Sequence, residues 1–265
     1  MTSLQARDLK VHFGGVKALD GVSLDIGGGG VHAVIGPNGA GKTSFINAVT
    51  GVYRATAGTV TIDGVDVAGQ SAHVLARRGI TRTFQNLQIF WTMTALENVM
   101  CGFYLASDHG FWRGLLRLPG TVARTAKLEG DAQRILESVG LAEKASVMAQ
   151  SLSYGELKKL EIARAIASRP TILFLDEPVA GCTSTEKTAL GMVIRRLADE
   201  TGTTIVLVEH DMKLVMSISD RVSVLVRGKL LADGAPDRIR NDAAVIEAYL
   251  GAPKRAQEHA YAAAR

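Results

Sequence analysis

The stretch "VHAVIGPNGAGKTSFINAVTG" at 31–51 constrains the chain more than any other. "VHAVI" has the length and apolar content of a buried strand, and the helical pattern after it ends where Gly51 can act as a stop. Strand, glycine-rich turn and helix in that order belong to an α/β core with the turn at the carboxyl edge of a sheet. Gly36, Gly39 and Gly41 let backbone N–H groups close around phosphate oxygens, and the helix N-terminus adds a favourable dipole. Lys42 supplies a point charge for the β- and γ-phosphates, and the Thr43 hydroxyl can ligate Mg²⁺. A plain glycine-rich turn would not require Gly-Lys-Thr at this spacing. The sequence therefore predicts a nucleoside triphosphate site formed by Gly36, Pro37, Asn38, Gly39, Ala40, Gly41, Lys42, Thr43 and Ser44.

The complement lies at 171–178, "TILFLDEP". An apolar strand ending in acid brings Asp176 to the same sheet edge as a metal ligand, and Glu177 next to it can act as general base toward an attacking water. Alone, such a strand end would be weak evidence, since acids there often only meet solvent. Paired with the glycine loop, it is persuasive.

Around these motifs, 4–30 reads as strands with glycine-rich turns, and "GTVTIDGVDV" (58–67) as further strand with a hairpin signal at Asp63–Gly64. From 92 to 169 the pattern is helical; "FWRGLLRLP" (111–119) interrupts it as an apolar loop expected to fold back on the helices. After 170 come strands at 171–175, 203–208 and 222–226, helices around 185–199 and 211–218, a turn at 227–228, a last strand and a helix near 244–250. The expected division is an α/β core with an antiparallel β subdomain (1–85 and 170–235), a helical subdomain (86–169), and a C-terminal helix and tail (236–265).

No apolar run approaches the ~20 residues a bilayer crossing needs. The N-terminus has no apolar signal region, and Cys101 and Cys182 show neither metal-ligand nor disulfide spacing, so a reducing cytoplasm is the expected setting. The net charge is +4, but no basic run reaches five residues. Such a surface argues against nucleic acid as a partner and is compatible with nearby anionic headgroups.

"GPNGAGKT", "TFQ" with Gln85, "LSYGE" (152–156), "ILFLDEP" and "VEH" with His210 follow in the order of the motifs of ABC-transporter ATPase subunits, which the chain resembles up to about residue 252. The resemblance implies a P-loop ABC ATPase fold: a mixed sheet core, an N-terminal antiparallel β subdomain and an inserted helical subdomain. It also implies ATP hydrolysis with Mg²⁺. Gln85 would sense Mg²⁺ and the attacking water and couple to the permease. His210 would contact the γ-phosphate, and Phe13 would stack on adenine, with a core Phe in the first strand as the competing reading. Ser153 and Gly155 would complete the site of an opposite subunit. Ser153 with Glu156 also reads as a helix capping box, which is physically compatible with that role.

Two positions depart from the family pattern. Glu156 stands where Gln is usual, and a carboxylate beside an incoming triphosphate is repulsive unless it turns back as a cap. After Asp176–Glu177 the chain reads "AGCTSTE" (180–186), with Thr183 at the position of an Asn or Asp in related importers and Cys182 where they have Leu, a small packing position rather than a redox switch.

"FGGVKALDGVSL", "TRTFQNLQIFWTMTALENVM", "EHDMKLVMSISDRVSVL" and "RNDAAVIEAYLG" look like the ATPases of branched-chain amino-acid importers. The resemblance implies a second ATPase subunit or a second copy, two integral-membrane permeases, an extracytoplasmic solute-binding protein acting indirectly, and a peripheral position on the cytoplasmic face of the inner membrane. Importers of urea, amides or aromatic acids, lipopolysaccharide export and a DNA-associated ATPase are the alternatives. The short insertion and single glycine loop argue against the last.

Overall fold

The computed structural model describes residues 2–103 and 121–250. The apolar 111–119 stretch and the tail beyond 250 lie outside these residues. Strands β1 (Ser3–Phe13), β2 (Val16–Gly27), β4 (Ala57–Ile62) and β5 (Val65–Asp66) form an antiparallel sheet in the order β2-β1-β4-β5. Asp63 and Gly64 link β4 to β5 with φ of 50° and 79°. Positive φ at both central residues is what a tight two-residue hairpin demands, and Asp-Gly supplies it.

The second sheet contains β3 (Val31–Ile35), β6 (Ile80–Arg82), β7 (Ile172–Asp176), β8 (Thr204–Val208), β9 (Arg221–Val226) and β10 (Lys229–Gly234), ordered β10-β9-β3-β8-β7-β6. All neighbours run parallel except β10, which turns back against β9 through Arg227 and Gly228. The central strands are buried on both faces, which is why they read as unbroken apolar runs.

Their alternation sorts the side chains into two cores. Ala33, Leu173, Leu175, Ile205 and Leu207 face helices α3 (Ala95–Gly102), α4 (Thr121–Ser138), α5 (Tyr154–Ala167), α6 (Ser184–Thr201) and α7 (Met212–Ile218). Val34, Phe174, Val206 and Val208 face helix α1 (Lys42–Val49) and the antiparallel sheet, through Phe45, Ile46, Leu4, Leu9 and Leu24. Each buried Val, Leu, Ile or Phe side chain among them contributes about 1.5–3 kcal/mol of hydrophobic stabilisation. The helices α2 (Ala72–Arg77), α8 (Pro236–Arg240) and α9 (Ala243–Leu250) complete the described fold.

No sequence pattern marks strand β6, yet it decides where Gln85 goes. Because β6 runs parallel to β7, Gln85 emerges at the same edge as Asp176. The loops after β3, β6, β7 and β8 therefore all leave the sheet at its carboxyl edge.

Candidate nucleotide site

The loop between β3 and α1 is built by local necessity. Gly36, Gly39 and Gly41 have φ of 153°, 77° and 100°. A Cβ on Gly36 would come within 2.1 Å of the Leu225 carbonyl oxygen, and one on Gly41 within 2.5 Å of that of Ala18. A Cβ on Gly39 would meet nothing within 4 Å, so that side of the loop is open. Gly41 caps α1 in the left-handed conformation without a side-chain bond, leaving the first N–H groups of the helix free of a side-chain partner. Asn38, Gly39 and Thr43 are exposed, while Pro37 and Ser44 are half-buried and Ala40 is buried. Lys42 crosses back over the loop, donating from Nζ to the carbonyls of Gly36 (2.7 Å) and Pro37 (3.2 Å). Burial lowers its pKa, against the opposing pull of Glu177 and Asp176.

Asp176 is buried at the end of β7, and burial raises its pKa. Arg82 opposes that shift from 3.4 Å. The same guanidinium donates to Asn47 Oδ1 (2.6 Å) and Thr50 Oγ1 (3.2 Å) on and beside α1, and stacks over Phe84 at 4.7 Å. Arg82 thus ties the glycine-loop helix to the acidic strand end. Nothing in the sequence singles it out, since its partners come from three separate segments.

Glu177 has φ of 49°, a strained conformation for a residue with a side chain, and it directly precedes Pro178, which restricts its backbone further. Its N–H donates to the Val208 carbonyl at 2.9 Å, fixing the turn to the end of β8. Such strain persists where surrounding contacts impose it, and it is frequent at functional sites. His210 follows β8 with Nδ1 3.9 Å from Glu177 Oε1 and 3.7 Å from Glu209 Oε2. Glu209 is fully buried and accepts the N–H groups of Val179 (3.1 Å) and His210 (3.1 Å). Burial raises its pKa and these two donors oppose the shift. It braces the loops after β7 and β8 against each other, a task that no motif in the sequence signals.

Gln85 is exposed and its side chain makes no hydrogen bond among the described residues. Phe13 is 53% exposed and meets Tyr53 edge-on at 5.4 Å, so it is no core residue.

Ser153 caps α5. It accepts the Glu156 N–H at 3.4 Å while Glu156 Oε2 accepts the Ser153 N–H at 2.8 Å. The expected capping box is present. Thr183 and Glu186 form a second one at the start of α6, with Thr183 filling the capping position that Asn also fills well. Tyr154 joins the two, since its hydroxyl donates to the Ala180 carbonyl at 3.2 Å. Gly155 packs against the Glu186 carboxylate, which a Cβ there would approach to 2.6 Å. Cys182 is buried and burial pushes its thiol up, which suits a packing residue. No hydrogen bond or ion pair joins Ser153 or Gly155 to residues 36–44 among the described residues.

A glycine loop opening a helix beside an acidic strand end, on a mostly parallel sheet, defines a nucleotide-binding protein of the P-loop class. The profile of the ABC transporter family matches residues 19–180, and the chain belongs to that family, whose cassettes bind and hydrolyse ATP. A second profile, the branched-chain amino acid ATP-binding cassette transporter, matches residues 229–254. Over 248 residues the chain is 43% identical to the high-affinity branched-chain amino acid transport ATP-binding protein BraF of Pseudomonas aeruginosa, covering 94% of this chain and 97% of that protein. It is 41% identical to the corresponding protein LivG of Escherichia coli, with the same coverage. The fold matches the ADP conformation of an ATP-binding cassette of an ABC transporter with a TM-score of 0.80 at 30% identity, covering 95% of this chain and 100% of the other. Among the described residues no helix is long and apolar enough to cross a membrane.

Proposed function

We propose that this chain is the ATP-hydrolysing subunit of an importer of branched-chain amino acids, working as a pair of cassettes on the cytoplasmic face of two membrane-embedded permeases. The observation that carries the chemistry is the convergence of the 36–44 loop, Gln85, Asp176–Glu177 and His210 at one sheet edge. The likeness to BraF and LivG supports the substrate class.

The backbone N–H groups from Gly39 to Ser44 would hold the phosphates, with Phe13 against the adenine. Lys42 would leave the carbonyls of Gly36 and Pro37 for the β- and γ-phosphates, where its charge offsets the charge developing on the transferred group. Thr43, Asp176 and Gln85 offer a hydroxyl, a carboxylate and an amide oxygen, an all-oxygen set of the kind Mg²⁺ takes. Among the described residues no group of three His, Cys, Asp or Glu could hold a metal. When bound, Mg²⁺ would supply positive charge that offsets the negative charge of the triphosphate. Glu177 would take the proton of the attacking water, with His210 at the γ-phosphate side of it. Ser153 Oγ and the Gly155 N–H, at the start of α5, would face the nucleotide held by a partner cassette.

Residues 86–169 would move as the helical lobe carrying that motif. The groove between this lobe and the strand β6 loop, about 560 Å³ and rimmed by exposed Phe84, Phe90 and Trp91, is where a permease segment would dock.

Reconstitution with the neighbouring permeases and binding protein tests the whole reading. ATPase activity should rise with leucine, isoleucine or valine, and not with urea, short amides or aromatic acids. Stimulation confined to one of the latter groups would overturn the substrate assignment.

A further inference from the structure

In the 229–254 segment matched by the branched-chain profile, one described residue, Tyr249, reaches the phosphate loop. Tyr249, on α9, packs its ring against the core formed with α7, beside Met212 and Met216 on the helix that follows His210. Its hydroxyl is shut off from solvent and makes no hydrogen bond of normal geometry. A buried polar group without a partner is uncommon, so what it faces matters. It faces the Gly36 backbone N–H, which does not meet the geometry of a normal bond, and burial pushes the phenol up to about 12, so the hydroxyl stays neutral.

Gly36 is held on its other sides as well. Its carbonyl accepts Lys42 Nζ at 2.7 Å, and the Leu225 carbonyl leaves no room for a Cβ. When Lys42 turns to a phosphate, the Gly36 peptide loses that side-chain partner. The Tyr249 hydroxyl remains against it on the N–H side.

We infer that Tyr249 is a positioning residue for the phosphate loop, its hydroxyl accepting the Gly36 N–H as the loop closes on a polyphosphate, so that α9 sets nucleotide affinity from the C-terminal end of the chain. The inference rests on reading 36–44 as the phosphate loop. It gives the profile-matched C-terminal segment a task at the ATP site, on a helix that lines one groove with Met212 and Met216 of the helix behind His210.

Tyr249→Phe removes the hydroxyl and keeps the ring. Calorimetric titration of the full chain with ATP and Mg²⁺ should show Kd weakened about two- to tenfold, the range of one lost hydrogen bond. KM should rise in step, while kcat at saturating ATP and the thermal midpoint of the nucleotide-free protein stay at wild-type values. Unchanged Kd overturns the inference, even if the thermal midpoint falls, because Tyr249 would then serve packing alone. Tyr249→Leu, lacking both ring and hydroxyl, should weaken binding at least as much. If Leu weakens binding and Phe does not, the hydroxyl is not the operative group. Failure of the wild-type chain to bind ATP would instead sink the phosphate-loop reading.

Discussion

At Glu156 a structural task would meet the triphosphate held by the proposed partner cassette. The Ser153 N–H holds the Glu156 carboxylate below its ordinary pKa, and Lys144 lies 3.8 Å away. A glutamine there keeps a carbonyl oxygen for the Ser153 N–H and removes the charge that a partner's triphosphate would meet. Glu156→Gln should therefore retain the cap, change stability by less than about 1 kcal/mol, and leave phosphate release in a steady-state assay equal to or above wild type. A large loss of turnover would show that the carboxylate does more than cap. Residues such as Lys42, Asp176, Glu177 and Ser153 are legible in the sequence because their chemistry depends on neighbours a few positions away. Arg82 and Tyr249 are not, because Asp176 and Gly36 come to them only through the fold.

Elements follow the same division. The strands β3, β7 and β8 announce themselves as apolar runs because they are buried on both faces. The short α2, β6 and α8 each bury a single side chain, Leu75, Ile80 and Ile239, too little to leave a periodic pattern. Nor does the sequence reveal how β3, β9 and β10 are cross-linked. His32 Nε2 lies 2.8 Å from Ser223 Oγ, which donates to Asp233 Oδ1 at 2.8 Å, and Arg221 pairs with Asp233. Burial depresses the His32 pKa from 6.5 to about 4. Between those values the unfolded chain binds a proton that the folded chain refuses, so stability is lost as pH falls through this window, by about 3 kcal/mol in full. The buried Asp176, Glu161 and Glu209, with raised pKa values, act in the opposite sense. The comparison is therefore with His32→Gln. Between pH 7 and pH 4.5, denaturant midpoints should fall more steeply for the wild type than for the variant. Parallel curves would mean that His32 is protonated in the folded state.

At the scale of the whole molecule, the exposed start of α5 and the open side of the glycine loop would be two halves of the proposed site, which one chain does not bring together. Tyr154, Gly155 and Glu186 bind the start of α5 to the segment that follows Glu177, so a partner's nucleotide docking on Ser153 would press on the turn that carries Glu177. Two cassettes facing each other would share both nucleotides, and hydrolysis would release the pair. Glu177→Gln separates these steps, because the amide cannot take the proton from water yet keeps the side chain's size and its place in the strained turn. The variant should bind ATP with wild-type affinity, lose hydrolysis by about two or more orders of magnitude, on the scale of removing a general base, and accumulate as an ATP-dependent dimer in multi-angle light scattering. Adding Ser153→Ala and Gly155→Asp to that variant should return it to monomers at the same ATP concentration while Gly36–Ser44 still binds nucleotide. A Glu177→Gln chain that hydrolyses ATP rapidly would remove Glu177 as the base. A triple variant that still dimerises with ATP would remove the start of α5 as the surface offered to the partner's nucleotide.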